Sequence, residues 1–202
     1  MDSWRNLTKD NYKPASDNYI KDWTQIGLRF GPLDKDFRWA SCAGRSGANC
    51  LMRKCPGRNG HWNGCGGEQF FIVTNKNDFV RSGDIVAFKY HDQHWLSNSP
   101  IRRRKSPNSI NTKTCPGAKF ESLQTSDRCR DERWKIEALG KNNGDIIEHL
   151  DLVRIVTNAD HSRQITMMDI AYELSMVTKV MDTSTFFNWI IFDVHKENIY
   201  DI

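Results

Sequence analysis

Apolar residues recur along this chain in short runs that alternate with polar or small ones. Ile26, Leu28 and Phe30 alternate with Gly27 and Arg29, Val86, Phe88 and Tyr90 with Ala87 and Lys89, and Val153 and Ile155 with Arg154. A period of two is that of a strand buried on one face. Each run leads into a polar turn and a returning segment: Gly31 to Asp36 then Phe37 to Ser41, His91 to His94 then Trp95 to Ser97, and Asn158 to Arg163 then Ile165. Later, each run is followed by an aromatic residue placed two before an isoleucine, in Phe70-x-Ile72, Trp134-x-Ile136 and Trp189-x-Ile191. The pattern predicts hairpins and short strands from Tyr19 onward, preceded by a polar, extended lead-in over residues 1–18.

These landmarks recur at nearly constant offsets, so the chain is a repeat. Tyr19-Ile20 with Ile26-x-Leu28 matches Phe79-Val80 with Val86-x-Phe88 at an offset of 60, and Ile146-Ile147 with Val153-x-Ile155 matches the second set at 67. Cys55-Pro56-Gly57 and Cys115-Pro116-Gly117 differ by 60, whereas Cys65 and Cys129, Glu68 and Glu132, and Phe70 and Trp134 each differ by 64. A four-residue insertion between the second pair of cysteines accounts for the change. Trp134-x-Ile136 returns 55 positions on as Trp189-x-Ile191, in a third copy without cysteines. A repeat of this length has too few apolar residues to bury a core alone, so the copies are expected to share one.

One stretch fits the pattern poorly. Met167 to Val180 carries apolar residues at Met167, Ile170, Ala171, Leu174 and Val177, close to helical spacing, and is rich in helix formers. The β-branched Val177, Thr178 and Val180 argue instead for the third copy's third strand. The expectation is strands overall, with a short helix possible in the third repeat.

Three copies of about four short strands, each opening on a Gly-Asp-x-Val-like hairpin and closing on an aromatic-x-Ile strand, resemble the β-trefoil. That resemblance covers about residues 19–199. It implies an all-β fold in which six strands close a barrel and three hairpins cap it, as a single domain over 19–202 with repeats at about 19–77, 78–144 and 145–202. Barrel closure also removes exposed sheet edges. The core would then be Ile26, Leu28, Phe70, Ile72, Val86, Phe88, Trp134, Ile136, Val153, Ile155, Trp189 and Ile191. The aromatic-x-Ile strand is similar to the Q-x-W strand of ricin-type lectins, although Glu68, Glu132 and Phe187 hold the Gln position. The C-P-G, C-x-x-E and G-D-x-V unit is similar to cysteine-rich tandem repeats of extracellular animal proteins.

Composition narrows the function classes. With 29 Lys and Arg against 25 Asp and Glu, the 202-residue chain carries a net charge of +4, and Arg102, Arg103, Arg104 and Lys105 alone supply as much. A general nucleic-acid surface is therefore not expected. No apolar run approaches the roughly 18 residues of a membrane-spanning helix, and mean hydropathy is −0.67. The residues after Met1 contain no apolar signal-peptide core, so a secreted chain would be a mature or trimmed form.

Six cysteines lie between Cys42 and Cys129, without a Cys-x-x-Cys pair or a His spacing of zinc type. Disulfides are expected, and with them an oxidising, extracellular location; reduced buried thiols are the alternative. Asn6-Leu7-Thr8 is a glycosylation sequon that agrees with secretion. Matched places in two copies pair Cys55 with Cys65 and Cys115 with Cys129, which leaves Cys42 for Cys50.

The candidate ligand-binding residues fall in two places. The second hairpin tip, Asp92, Gln93, His94 and Trp95, offers acceptors for paired hydroxyls beside an aromatic face for a sugar ring; the alternative places Trp39 and Trp95 in the core and leaves the tips as solvated turns. The insertion from Ile101 to Lys113, with Arg102, Arg103, Arg104 and Lys105, offers clustered cations to a sulfated or otherwise anionic ligand, or is a solvated loop. Glu68 and Glu132 recur, but equivalent positions in different copies are expected to be too far apart for paired acid and base work, and a structural place beside the bridge is expected. His149 and Asp151 have no nucleophile to serve. No G-x-S-x-G, H-E-x-x-H or phosphate-binding loop is present, so no enzyme, cofactor or metal is expected.

The resulting expectation is a secreted, non-catalytic binding or matrix module, lectin-like, for an extracellular glycan or acidic polymer, with other protein chains as further possible partners in an assembly. Alternatives are a protease inhibitor of trefoil architecture acting through an exposed loop, and a structural component of an extracellular assembly. Peptide mass mapping of unreduced protein should find Cys42 joined to Cys50, Cys55 to Cys65 and Cys115 to Cys129; free thiols at all six would move the chain to a reducing compartment.

Overall fold

In the computed structural model the alternating runs are strands, and they pair with one another around a closed ring. The residues described are 18–30, 38–42, 49–53, 67–74, 76–90, 94–98, 109–115, 127–158, 161–170, 173–180 and 188–196. Twelve strands lie among them: β1 Gln25–Phe30, β2 Arg38–Cys42, β3 Cys50–Arg53, β4 Phe70–Val73, β5 Ile85–Tyr90, β6 His94–Ser97, β7 Asn111–Thr114, β8 Trp134–Ala138, β9 Leu152–Thr157, β10 Arg163–Ile170, β11 Glu173–Val180 and β12 Trp189–Asp193. Six of them pair antiparallel in a cycle, β1 to β12 to β9 to β8 to β5 to β4 and back to β1. The other six form three hairpins, β2–β3, β6–β7 and β10–β11, each joined to the ring through β1, β5 or β9.

The protein is all-β, and among the described residues no α-helix occurs; a kinked 3-10 segment at Asp127–Glu132 precedes β8. Among the described residues the short helix expected as possible in the third repeat is absent. Met167 to Val180 instead falls in a hairpin whose strands pair through eight consecutive partners, from Arg163 with Val180 to Ile170 with Glu173. Helix propensity is a weak prior that such a ladder overrides. No helix among the described residues is long and apolar enough to cross a membrane.

All twelve expected core residues meet in one cluster, and each is fully buried. The copies differ at the aromatic position in a way chemistry explains. The indole N–H of Trp134 donates to the Leu96 carbonyl at 3.1 Å and that of Trp189 to the Ile165 carbonyl at 3.0 Å. Phe70 has no donor to satisfy and packs against Tyr90.

A cycle of backbone hydrogen bonds closes the ring at one end. Ile20 N–H donates to the Ile147 carbonyl, Ile147 N–H to the Val80 carbonyl and Val80 N–H to the Ile20 carbonyl, each at 2.9 Å. All three side chains are buried. The hairpins meet one another at the other end, where Cys50 N–H donates to Ile110, Ile110 N–H to Met176, and Ser175 pairs with Leu51.

Between these ends, three turns repeat the same bonds with different residues. In 21–24, 81–84 and 148–151, the first N–H is accepted by Thr24 Oγ1 (3.0 Å), Asp84 Oδ2 (2.9 Å) or Asp151 Oδ2 (2.7 Å). The third residue has positive φ, at Trp23 (65°), Gly83 (91°) and Leu150 (74°). Its N–H donates to the isoleucine of the aromatic-x-Ile strand, Ile72, Ile136 or Ile191, and that isoleucine donates back to the fourth residue of the turn. The second side chain, Asp22 Oδ1, Ser82 Oγ or His149 Nδ1, accepts the N–H two residues past that isoleucine, at Thr74, Ala138 or Asp193. His149 and Asp151 therefore hold a turn together.

Trp134→Ala removes a fully buried indole and leaves the Leu96 carbonyl without its donor, so it should lower stability by about 3–5 kcal/mol. Urea denaturation checks this. A loss within the ~0.5 kcal/mol usual for surface substitutions would place the indole outside the core.

Candidate functional site

Glycine at position 67 lets two segments approach more closely than any other residue would allow. A Cβ there would lie 2.9 Å from Ser41 Oγ and 3.1 Å from the Cys42 carbonyl. Without one, the Gly67 carbonyl accepts the Cys42 N–H at 2.8 Å, and the chain runs beside β2. Glu68, the next residue, is thereby held where only 5% of it is exposed. It borders a pocket of about 230 Å3 lined among the described residues by Ser41, Cys42, Asn49, Leu51, Arg53, Gly67 and Glu68. The Cys42–Cys50 disulfide, with Cα atoms 4.2 Å apart, ties β2 to β3 at this place.

The polar groups here are not used up by one another. No hydrogen bond or ion pair joins Glu68 to another described residue, and Asn49 Oδ1 is buried without a hydrogen-bond partner. Arg53 is exposed at the rim. Tyr90 holds its phenol proton more tightly than usual, chiefly through burial, then through the nearby Glu68 charge, with Arg53 opposing.

The second copy places Ser97, Glu132 and Lys113 where the first has Ser41, Glu68 and Arg53, since Trp39 pairs with Arg53 as Trp95 pairs with Lys113. Here the site is closed. Ser97 Oγ donates to Glu132 Oε1 at 2.7 Å, and Glu132 is 1% exposed, with Oε2 buried and unpartnered. Burial pushes its carboxyl above the ordinary range; the Ser97 bond and the Lys113 charge oppose this without cancelling it. The Cys115 and Cys129 sulfurs lie within 4.8 Å of the carboxylate, and because they are joined to each other they offer no thiolate to a metal. The third copy has Thr166 and Lys179 at the matching places.

The structure separates the expected site residues. Trp95 is 1% exposed, packed in a satellite cluster with Val73, Ala87 and the Cys115–Cys129 bridge, and Trp39 is fully buried against Phe192. The stacking role given to Trp95 is corrected: neither indole presents a face to a ligand. His94 is half-buried at the start of β6, where it pairs with Thr114. Asp92, Gln93, Arg102, Arg103, Arg104 and Lys105 lie outside the described residues, as do Cys55 and Cys65. The pairings Cys42–Cys50 and Cys115–Cys129 are present as expected. Glu68 lies just before β4 and Glu132 at the end of the 3-10 segment before β8, in different copies, and no hydrogen bond joins them.

No family model matches the chain, and no curated protein does. Solved structures do resemble it in fold. A mosquitocidal holotoxin superposes with a TM-score of 0.55 at 11% identity, over 84% of this chain and 17% of its own. The S. cerevisiae protein O-mannosyltransferase complex bound to the sugar donor gives 0.54 at 9% identity, over 90% of this chain and 26% of its own. The chain thus spans about a sixth and about a quarter of these larger proteins.

The raised Glu132 carboxyl sets a pH dependence. The folded chain holds this proton more tightly than the unfolded chain, so its contribution to stability is greatest on the acid side and is lost as pH rises from the ordinary carboxylate value through the raised one. Glu132→Gln should remove that component, and wild type should gain on the variant as pH falls into this window. Urea titrations of both at stepped pH measure it; parallel curves would show that the carboxyl is not raised.

Proposed function

We propose that this chain is a secreted, disulfide-bonded β-trefoil that acts as a non-catalytic, lectin-like recognition module for an extracellular glycan. The trefoil reading is supported by the six-strand cycle, the three hairpins and the threefold hydrogen bonds at both ends. Two disulfides fit an oxidising location. The matched part of each structural neighbour is a small share of a larger chain, which suits a module.

The observation that carries the binding reading is the pocket beside Gly67. Saccharides are recognised by acceptors and donors set together, and Glu68, Asn49, Ser41 and Arg53 supply both, with no second carboxylate among the described lining residues. A glycan array that includes sulfated glycans, run without reductant beside a protease panel, tests this. Retention of a defined glycan subset with no protease inhibited is the expected result. Inhibition of a protease without any glycan bound would replace the reading with that of an inhibitor.

A further inference from the structure

The geometry points to one saccharide site per chain, in the pocket of the first copy, that takes a single neutral sugar unit. This rests on the lectin-like reading and adds the place, the number and the charge class of the ligand.

The place follows from an unsatisfied acceptor beside a carboxylate. A buried polar atom without a hydrogen-bond partner is costly, and such atoms are normally paired. Glu68 is 5% exposed and joined to no other described residue by a hydrogen bond or ion pair, and Asn49 Oδ1 is buried and unpartnered on the same pocket. Asn49 Oδ1 calls for a donor from outside the chain, and the Glu68 carboxylate on the same pocket offers further acceptors beside it. Hydroxyl groups of a sugar supply such donors in adjacent pairs.

The charge class follows from the two signs present. An anionic sugar would meet the Glu68 carboxylate, and a cationic amino sugar would meet the Arg53 guanidinium, both on the lining. A neutral polyol meets neither repulsion; it donates to Glu68 and Asn49 and accepts from Arg53. At about 230 Å3 the pocket lies below the size usual for drug-like ligands and suits one ring.

The number follows from the difference between copies. The second copy has an equivalent glutamate, serine and cation, but Ser97 already donates to Glu132 and the carboxylate is 1% exposed. That carboxylate is enclosed: Oε1 is taken by Ser97, and Oε2, although unpartnered, is out of a ligand's reach. The third copy has Thr166 and Lys179 without a described carboxylate beside them, so among the described residues the first copy is the one that is open.

The probes are methyl mannoside, methyl galactoside, glucosamine and glucuronate, titrated into the full chain by calorimetry and by saturation-transfer NMR, together with any glycan retained on the array. Expected are binding of a neutral glycoside at one per chain, preference over both charged sugars, and a loss of about tenfold or more in Glu68→Gln, the size associated with removing a charged hydrogen-bond partner. Arg53→Ala, at an exposed position, should weaken binding without unfolding and guards against a Glu68 variant that fails to fold. Glu132→Gln should bind as wild type. If array glycans bind but survive both Glu68→Gln and Arg53→Ala, or if the charged sugars bind more tightly, the pocket assignment is wrong and the lectin-like reading stands. If no saccharide binds on the array or in titration, both fall.

Discussion

The fold depends on a cycle of three backbone hydrogen bonds among Ile20, Ile147 and Val80. A buried N–H or carbonyl without a partner costs on the order of 1–3 kcal/mol, and here each copy's donor is satisfied by one of the other two copies. Any two copies taken alone leave one donor and one acceptor orphaned in an apolar setting. The opposite end imposes a related demand, since Cys50, Ile110 and Met176 come from three different hairpins. The three repeats are therefore one cooperative unit, and the shared core of Trp134, Trp189, Phe70 and the aliphatic pairs is held in place from both ends.

The disulfides act on a different scale. Their cysteines are 8 and 14 residues apart, whereas the pairing of β1 with β12 joins segments some 160 positions apart, as in Leu28 with Ile191. The bridges restrict local loops and brace hairpins, and ring closure rests on the buried core and the backbone cycle. Cys42–Cys50 has a second consequence, because it sits in the wall of the pocket and fixes β2 and β3 on either side of it. Rigidity at a binding site lowers the ordering that a ligand must otherwise impose.

Most of the fold was legible because strand alternation and fixed offsets are properties of sequence alone. All twelve core positions and both described disulfide pairings could be read that way. Met167 to Val180 was ambiguous because helical spacing and β-branched residues coincide there, and only pairing across the hairpin decides between them. The site was far less legible. Glu68 stood out through its match with Glu132, yet what distinguishes the two is whether a neighbouring serine reaches the carboxylate, which no spacing encodes. Gly67 carries no signal of its own in the sequence, and its close approach to Ser41 and Cys42 appears only in three dimensions. Trp95, placed beside polar tip residues in sequence, turns inward because the Cys115–Cys129 bridge offers it an apolar surface.

The three turns bear on how much such a chain can change while remaining the same object. Aspartate, serine and histidine accept the same backbone proton at Asp22, Ser82 and His149, and tryptophan, glycine and leucine occupy the same left-handed position at Trp23, Gly83 and Leu150. The architecture asks for an acceptor within reach and a tolerated φ, and several side chains meet each demand. Letters can therefore be exchanged while the drawing is preserved, and within a single chain the three copies already show how far that exchange goes. Likeness in form at 9–11% identity to segments of a toxin and a transferase complex is the same latitude seen between proteins.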